Sequence, residues 1–140
     1  MTSLKDQNYY STFIEVADDC PVSTAEVPRQ KGNEPTVSFL QYEMIRKHPY
    51  ACTQEDVLFG VYAIRNGIVK KDLKNERDKF FSRGQPCLRS SSLGKRYGWG
   101  MHCNKQGKIA LVAMESPEYA NFAKDQSILH IKAMRSKRSK

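Results

Sequence analysis

Two strand-like runs, Tyr97 to Cys103 and Lys108 to Met114, stand either side of Asn104-Lys105-Gln106-Gly107, and that spacer matches a hairpin loop. An antiparallel pair is therefore expected. A further strand is read from Asn8 to Ala17, where Tyr10, Thr12, Ile14 and Val16 alternate with Tyr9, Ser11, Phe13 and Glu15. Helical spacing takes over at Thr36. Val37, Leu40, Met44 and Ile45 mark one face of a helix that ends at His48-Pro49. Val57, Leu58, Val61 and Ile64 mark a second, opened by a capping box at Thr53-Gln54-Glu55-Asp56 and stopped by Asn66-Gly67. A third, more charged helix runs from about Lys70 to Ser82 on Leu73, Phe80 and Phe81, and Ser116-Pro117-Glu118 opens a fourth. Gln85 to Arg96 reads as irregular, and Ile128 to Met134 as either strand or helix. This order predicts an α+β fold: a single domain with a small, largely antiparallel sheet packed against three to four helices.

The 140 residues suit one domain, expected over 1–134, with 135–140 as a flexible basic tail. A composition of 39% hydrophobic and 27% charged residues excludes collagen-like, coiled-coil and wholly disordered chains. No apolar run approaches the ~18 residues of a membrane span, and the first residues lack a signal-peptide stretch. A soluble, cytoplasmic protein with no membrane partner is expected.

Charge is distributed unevenly. Residues 1–64 carry a net −4 and residues 65–140 a net +12, an asymmetry that hints at a polyanionic partner. Between Asp78 and Glu115 there is no acid, while seven bases and five glycines fall in the interval. Cys20, Cys52, Cys87 and Cys103 are too scattered to chelate zinc from one turn, and His102 and Cys103, adjacent on a strand, point to opposite faces. Free thiols, no metal and no cofactor are expected.

Familiar ligand motifs fail on their spacing. Gly98-Trp99-Gly100 lacks the third glycine of a dinucleotide fingerprint, and Gly94-Lys95 lacks the upstream glycine and following hydroxyl of a nucleotide P-loop. A cysteine phosphatase loop needs an arginine six residues after the thiolate, where Cys87 has Leu93 and Cys103 has Ile109. What survives is the composition of Gly84 to Gly100. Its small residues admit backbone amides to an anion, Ser90 and Ser91 offer hydroxyls, Arg89, Lys95 and Arg96 offer charge, and Tyr97 and Trp99, sharing a strand face, offer rings for stacking. These residues define an expected binding site for a phosphate-bearing ligand, nucleic acid included. Two alternatives stand beside it. One is an enzyme acting on a small anionic substrate with Cys87 as nucleophile or His102 as base, and it requires Cys87, Arg89 and His102 in one pocket. The other is a protein–protein interaction module.

Four blocks of the sequence carry a resemblance: 9–17 (YYSTFIEVA), 80–91 (FFSRGQPCLRSS), 95–100 (KRYGWG) and 132–138 (KAMRSKR). They are similar to the signature blocks of a family of small, uncharacterised, mainly bacterial proteins classed as a domain of unknown function. Asp18-Asp19-Cys20-Pro21 and Pro49-Tyr50 fit the same pattern. The resemblance implies a single domain across nearly the whole chain and carries no activity, cofactor or site residue with it.

Overall fold

The computed structural model describes residues 8–30, 32 and 34–136. Four strands form one sheet: β1 (Thr12–Glu15), β2 (Trp99–Cys103), β3 (Ile109–Ala113) and β4 (Leu129–Lys132), in the spatial order β3-β2-β1-β4. β1 pairs antiparallel with β2, and β2 with β3, whereas β4 lies parallel to β1. Among the described residues five α-helices accompany them: α1 (Val37–Lys47), α2 (Gln54–Arg65), α3 (Leu73–Phe81), α4 (Ser92–Lys95) and α5 (Pro117–Lys124). The fold is thus a single α+β domain with a mixed, mostly antiparallel sheet.

Strand alternation sends each strand's neighbours to opposite faces, and here both faces are covered. Ile14, Met101, Cys103 and Ile109 meet Ile45 of α1, Val57 of α2, Leu93 of α4 and Leu88 in the main core. Phe13 turns the other way, where its ring meets Tyr119 and Phe122 of α5 at centroid distances of 5.0 and 5.3 Å. Burying a side chain such as Phe13 or Ile14 contributes roughly 1.5–3 kcal/mol, so the central strand anchors both layers.

The helix ends follow their capping residues. Thr53 Oγ1 accepts from Asp56 N–H while the Asp56 carboxylate accepts from Thr53 N–H, a complete capping box, and Ser116 Oγ accepts from Tyr119 N–H ahead of Pro117 at the first helical position. α3 buries no residue, as its charged sequence leads one to expect; its Phe80 ring instead lies 4.7 Å from that of Tyr62 and 5.7 Å from that of Phe59.

Several expectations need correction. The first strand spans only Thr12–Glu15, because Ser11 has φ +46° and breaks the extended run. Residues 85–96 are not irregular throughout: Leu88–Ser90 forms a 3-10 turn and Ser92–Lys95 a one-turn helix capped by Ser91. Tyr97 and Trp99 do not share a strand face, since Gly98 between them has φ +80° and β2 begins only at Trp99. The ambiguous run near residue 130 is strand, paired from Leu129 to Lys132 with β1. Of the expected tail, Arg135 reaches Asp18 at 3.9 Å and Ser136 N–H donates to the Asp19 carboxylate, while 137–140 lie outside the described residues.

Close packing explains the glycines of the basic segment. A Cβ on Gly94 would stand 2.9 Å from the Ala133 Cβ, and one on Gly100 would stand 2.7 Å from the Tyr119 ring and 3.2 Å from the Ile14 carbonyl oxygen. Gly100→Ala should therefore destabilise the protein by about 1–3 kcal/mol through overpacking. Gly84→Ala, where a Cβ meets nothing within 4 Å, should stay within about 0.5 kcal/mol of the parent. Urea unfolding of the two variants checks the contrast.

Candidate functional site

Segment 85–92 is fixed from two sides by buried glutamines. Gln54, 2% exposed on α2, accepts from Leu88 N–H at 2.7 Å. Gln41, 5% exposed on α1, accepts from the Ser91 hydroxyl at 2.6 Å, and Ser91 Oγ in turn caps α4 by accepting from Leu93 N–H. Leu88, locked into the main core, turns the chain so that Cys87, Ser90, Ser91 and Ser92 face α1.

The result is a groove of two adjoining clefts, about 250 and 400 Å³, that share Val37, Gln41 and Leu58. The smaller is walled by Ser38, Cys87 and the three serines, with Phe80 beneath. The larger runs past Val61 and Tyr62 to Arg65 at the end of α2. Its electrostatic character is one-sided: hydroxyls, amides and one guanidinium line the two clefts, and among the described residues no carboxylate does. Gln41 is central. Its Oε1 is engaged by Ser91, whereas its Nε2 donates to none of the described residues.

Of the residues singled out from sequence, Cys87, Ser90 and Ser91 come together in this groove. The others go elsewhere. Arg89 turns to the sheet edge, where its Nε donates to the Lys132 carbonyl oxygen at 2.7 Å and its own carbonyl oxygen accepts from Met134 N–H. Lys95 and Arg96, at the end of α4, line neither cleft. The Trp99 indole N–H donates to the Glu26 carbonyl oxygen at 2.8 Å with its ring 5.5 Å from that of Tyr42, and the Tyr97 carbonyl oxygen accepts from Glu26 N–H. The Trp99 indole and the Tyr97 backbone therefore both tie Glu26 to the fold.

Cys87 and His102 lie on opposite sides of the sheet. Burial, then the neighbouring Cys87 thiol, push the Tyr9 pKa up to about 12. Cys103, fully buried beneath the same face, has its thiol pushed by burial up to about 12. His102 faces α5 instead, its ring 4.1 Å from that of Phe122 and its Nδ1 2.8 Å from the Tyr50 hydroxyl. Burial lowers the His102 pKa against the opposing pull of Asp125.

Gln41 escaped the sequence reading. Its signal was positional: it stands one helical turn before Ile45, on the inward stripe, where a polar side chain must have a partner or face a ligand. Among the described residues, no three His, Cys, Asp or Glu side chains stand close enough to hold a metal, and no helix is long and apolar enough to cross a membrane.

An α+β domain with a donor-lined groove is the class these observations define. The chain belongs to a family of unknown function, DUF6157, whose model matches residues 4–139. No curated protein and no solved structure matches it.

The His102 environment has a pH consequence. Its folded pKa lies below the ordinary ~6.5, so as pH falls through ~6.5 the unfolded chain takes up a proton that the folded state resists. Stability present above that pH should decline down to and through the folded pKa. His102→Gln should flatten this part of the profile relative to the parent, as measured by urea unfolding between about pH 7 and 5.

Proposed function

We propose that the protein is a binding module for a small ligand carrying an oxyanion, a phosphate foremost, seated in the groove between α1, α2 and residues 85–92. The observation that carries this reading is Gln41, a residue only 5% exposed that borders both clefts, with its Oε1 held by Ser91 and its amide N–H groups meeting no protein acceptor among the described residues. That amide is open to the groove, where an oxyanion can accept from it. Arg65 adds a cation, the hydroxyls of Ser38 and Ser92 add donors, and the absence of carboxylates among the described lining residues removes the usual competitor. Val37, Leu58 and Phe80 offer an apolar bed for the ligand body. The site favours a small molecule over a nucleic-acid strand, because the clefts are of small-ligand size, the Trp99 indole is tied to Glu26, and neither Tyr97 nor Trp99 lines the clefts.

Titration of 15N-labelled protein with inorganic phosphate and with phenyl phosphate tests the reading. Both should shift the Gln41 side-chain amide, phenyl phosphate more tightly because its ring can rest on the apolar bed. Arg65→Ala, at an exposed position, should weaken both by about three- to tenfold without loss of stability. A Gln41 amide unmoved by millimolar concentrations of either probe would refute it.

A second reading adds chemistry to the same groove, and the Tyr9–Cys87 contact favours it. Cys87 would then act as nucleophile with Tyr9 as its neighbour, and without His102. Iodoacetamide should alkylate Cys87 in the native protein, phosphate should slow that reaction, and Cys103 should react only on unfolding. A Cys87 that is as inert as Cys103 would rule this version out.

A further inference from the structure

The two edges of the sheet are treated differently. At the β4 edge the Lys132 carbonyl oxygen is capped by the Arg89 guanidinium, and the strand carries Lys132, a charge of the kind that blunts an edge against further pairing. The β3 strand carries no charge. Its sequence, Ile109-Ala110-Leu111-Val112-Ala113, is wholly apolar.

Antiparallel pairing with β2 turns the backbone groups of Ala110 and Val112 inward and those of Ile109, Leu111 and Ala113 outward. The outward groups of Ile109 are used by the chain itself. Its N–H donates to the Cys52 carbonyl oxygen at 2.9 Å, its carbonyl oxygen accepts from Tyr50 N–H at 2.8 Å, and Thr53 forms an antiparallel bridge with Lys108. Tyr50 reaches this position at φ +59°, a conformation unfavourable for a bulky side chain. The Ala113 carbonyl oxygen is taken by Ser116, through both N–H and hydroxyl. Three groups then remain. The N–H and carbonyl of Leu111 and the N–H of Ala113 have no partner among the described residues.

These groups border a slot of about 460 Å³. Trp99, Tyr50 and Phe122 give it ring surfaces. Arg46, from the last turn of α1, and Glu118, from the first turn of α5, put opposite charges on its rim, and neither is ion-paired among the described residues.

We propose that β3 receives an extended peptide segment as a fifth strand of the sheet, continuing the row that residues 50–53 begin. Only an extended backbone offers donors and acceptors at the spacing of Leu111 and Ala113. The occupant is a separate peptide with charges complementary to Arg46 and Glu118, lying along a strand flanked by α1 and α5, both of which pack on it. Arg46 and Glu118 select a segment carrying an acid at one end and a base at the other. Specificity beyond this is low, since the backbone does most of the recognition.

The experiment uses a blocked hexapeptide of alternating valine and threonine with one terminal aspartate and one terminal lysine. Titrated into 15N-labelled protein, it should shift the Leu111 and Ala113 amides and slow their hydrogen exchange. Two further peptides, N-methylated on one or the other alternate set of amides, give the signature of strand addition. One should bind about tenfold or more weaker than the parent and the other nearly as well, because only one set faces the edge. Arg46→Glu, an exposed change, should weaken the parent peptide several-fold with stability unchanged. Unmoved Leu111 and Ala113 amides at millimolar peptide, or equal binding by both methylated peptides, would overturn the proposal. So would a peptide-free dimer in sedimentation whose Leu111 amide is protected, which would assign the edge to a second copy. Phosphate should not compete, so this result stands apart from that for the groove.

Discussion

A strand covered on both faces must be apolar on both, and β1 satisfies this with Phe13 and Ile14, at 0 and 2% exposure, side by side and pointing apart. Everything else is arranged around that pair. Ile14 gathers α1, α2, α4 and Leu88 on one side; Phe13 gathers α5 on the other. The close fit of Gly100 against Phe13, Tyr119 and Ile14 shows how little room the arrangement leaves. The sheet also becomes a partition. Groups on neighbouring residues of one strand, such as His102 and Cys103, are held in unrelated environments, one stacked on an aromatic ring and bonded to Tyr50, the other sealed in aliphatic core.

The groove owes its form to polar groups inside the helical layer. Gln54 and Gln41 take up a backbone amide and a hydroxyl from segment 85–92, and both contacts are in buried surroundings where a hydrogen bond lost is costly. The same bonds that hold the segment also turn its serines and cysteine toward α1. Structure and candidate chemistry are therefore not separable at Ser91, which caps α4, bonds Gln41 and borders the smaller cleft at once.

The basic residues show how charge can mislead when position is unknown. Arg89 is consumed by the edge of β4, where it fills the carbonyl that an added strand would otherwise use. Lys132 and Arg135 lie against Asp18, which their positive charges hold below the ordinary carboxylate range, with the Lys132 hydrogen bond the largest cause. Both contacts are solvent-exposed and contribute little to stability. They do orient the chain after β4 toward the turn that follows β1.

Local patterns determined much of the architecture. The capping box at Thr53 and the Ser116-Pro117 start were legible because each is made within four residues of itself, and the 104–107 turn because Asn104 accepts from Gln106 and Lys108 while Gly107 takes φ +80°. The α+β class followed from the change of period. What only the tertiary structure decided was the assignment of partners across the sequence: Gln41 to Ser91, Gln54 to Leu88, Arg89 to Lys132, His102 to Phe122 and away from Cys87. Composition placed serines, glycines and arginines in one segment as if they served one purpose. The fold sent the glycines to close packing, Arg89 to a strand edge and the serines to a groove, because direction in space is set by long-range contacts that neighbours in sequence do not share.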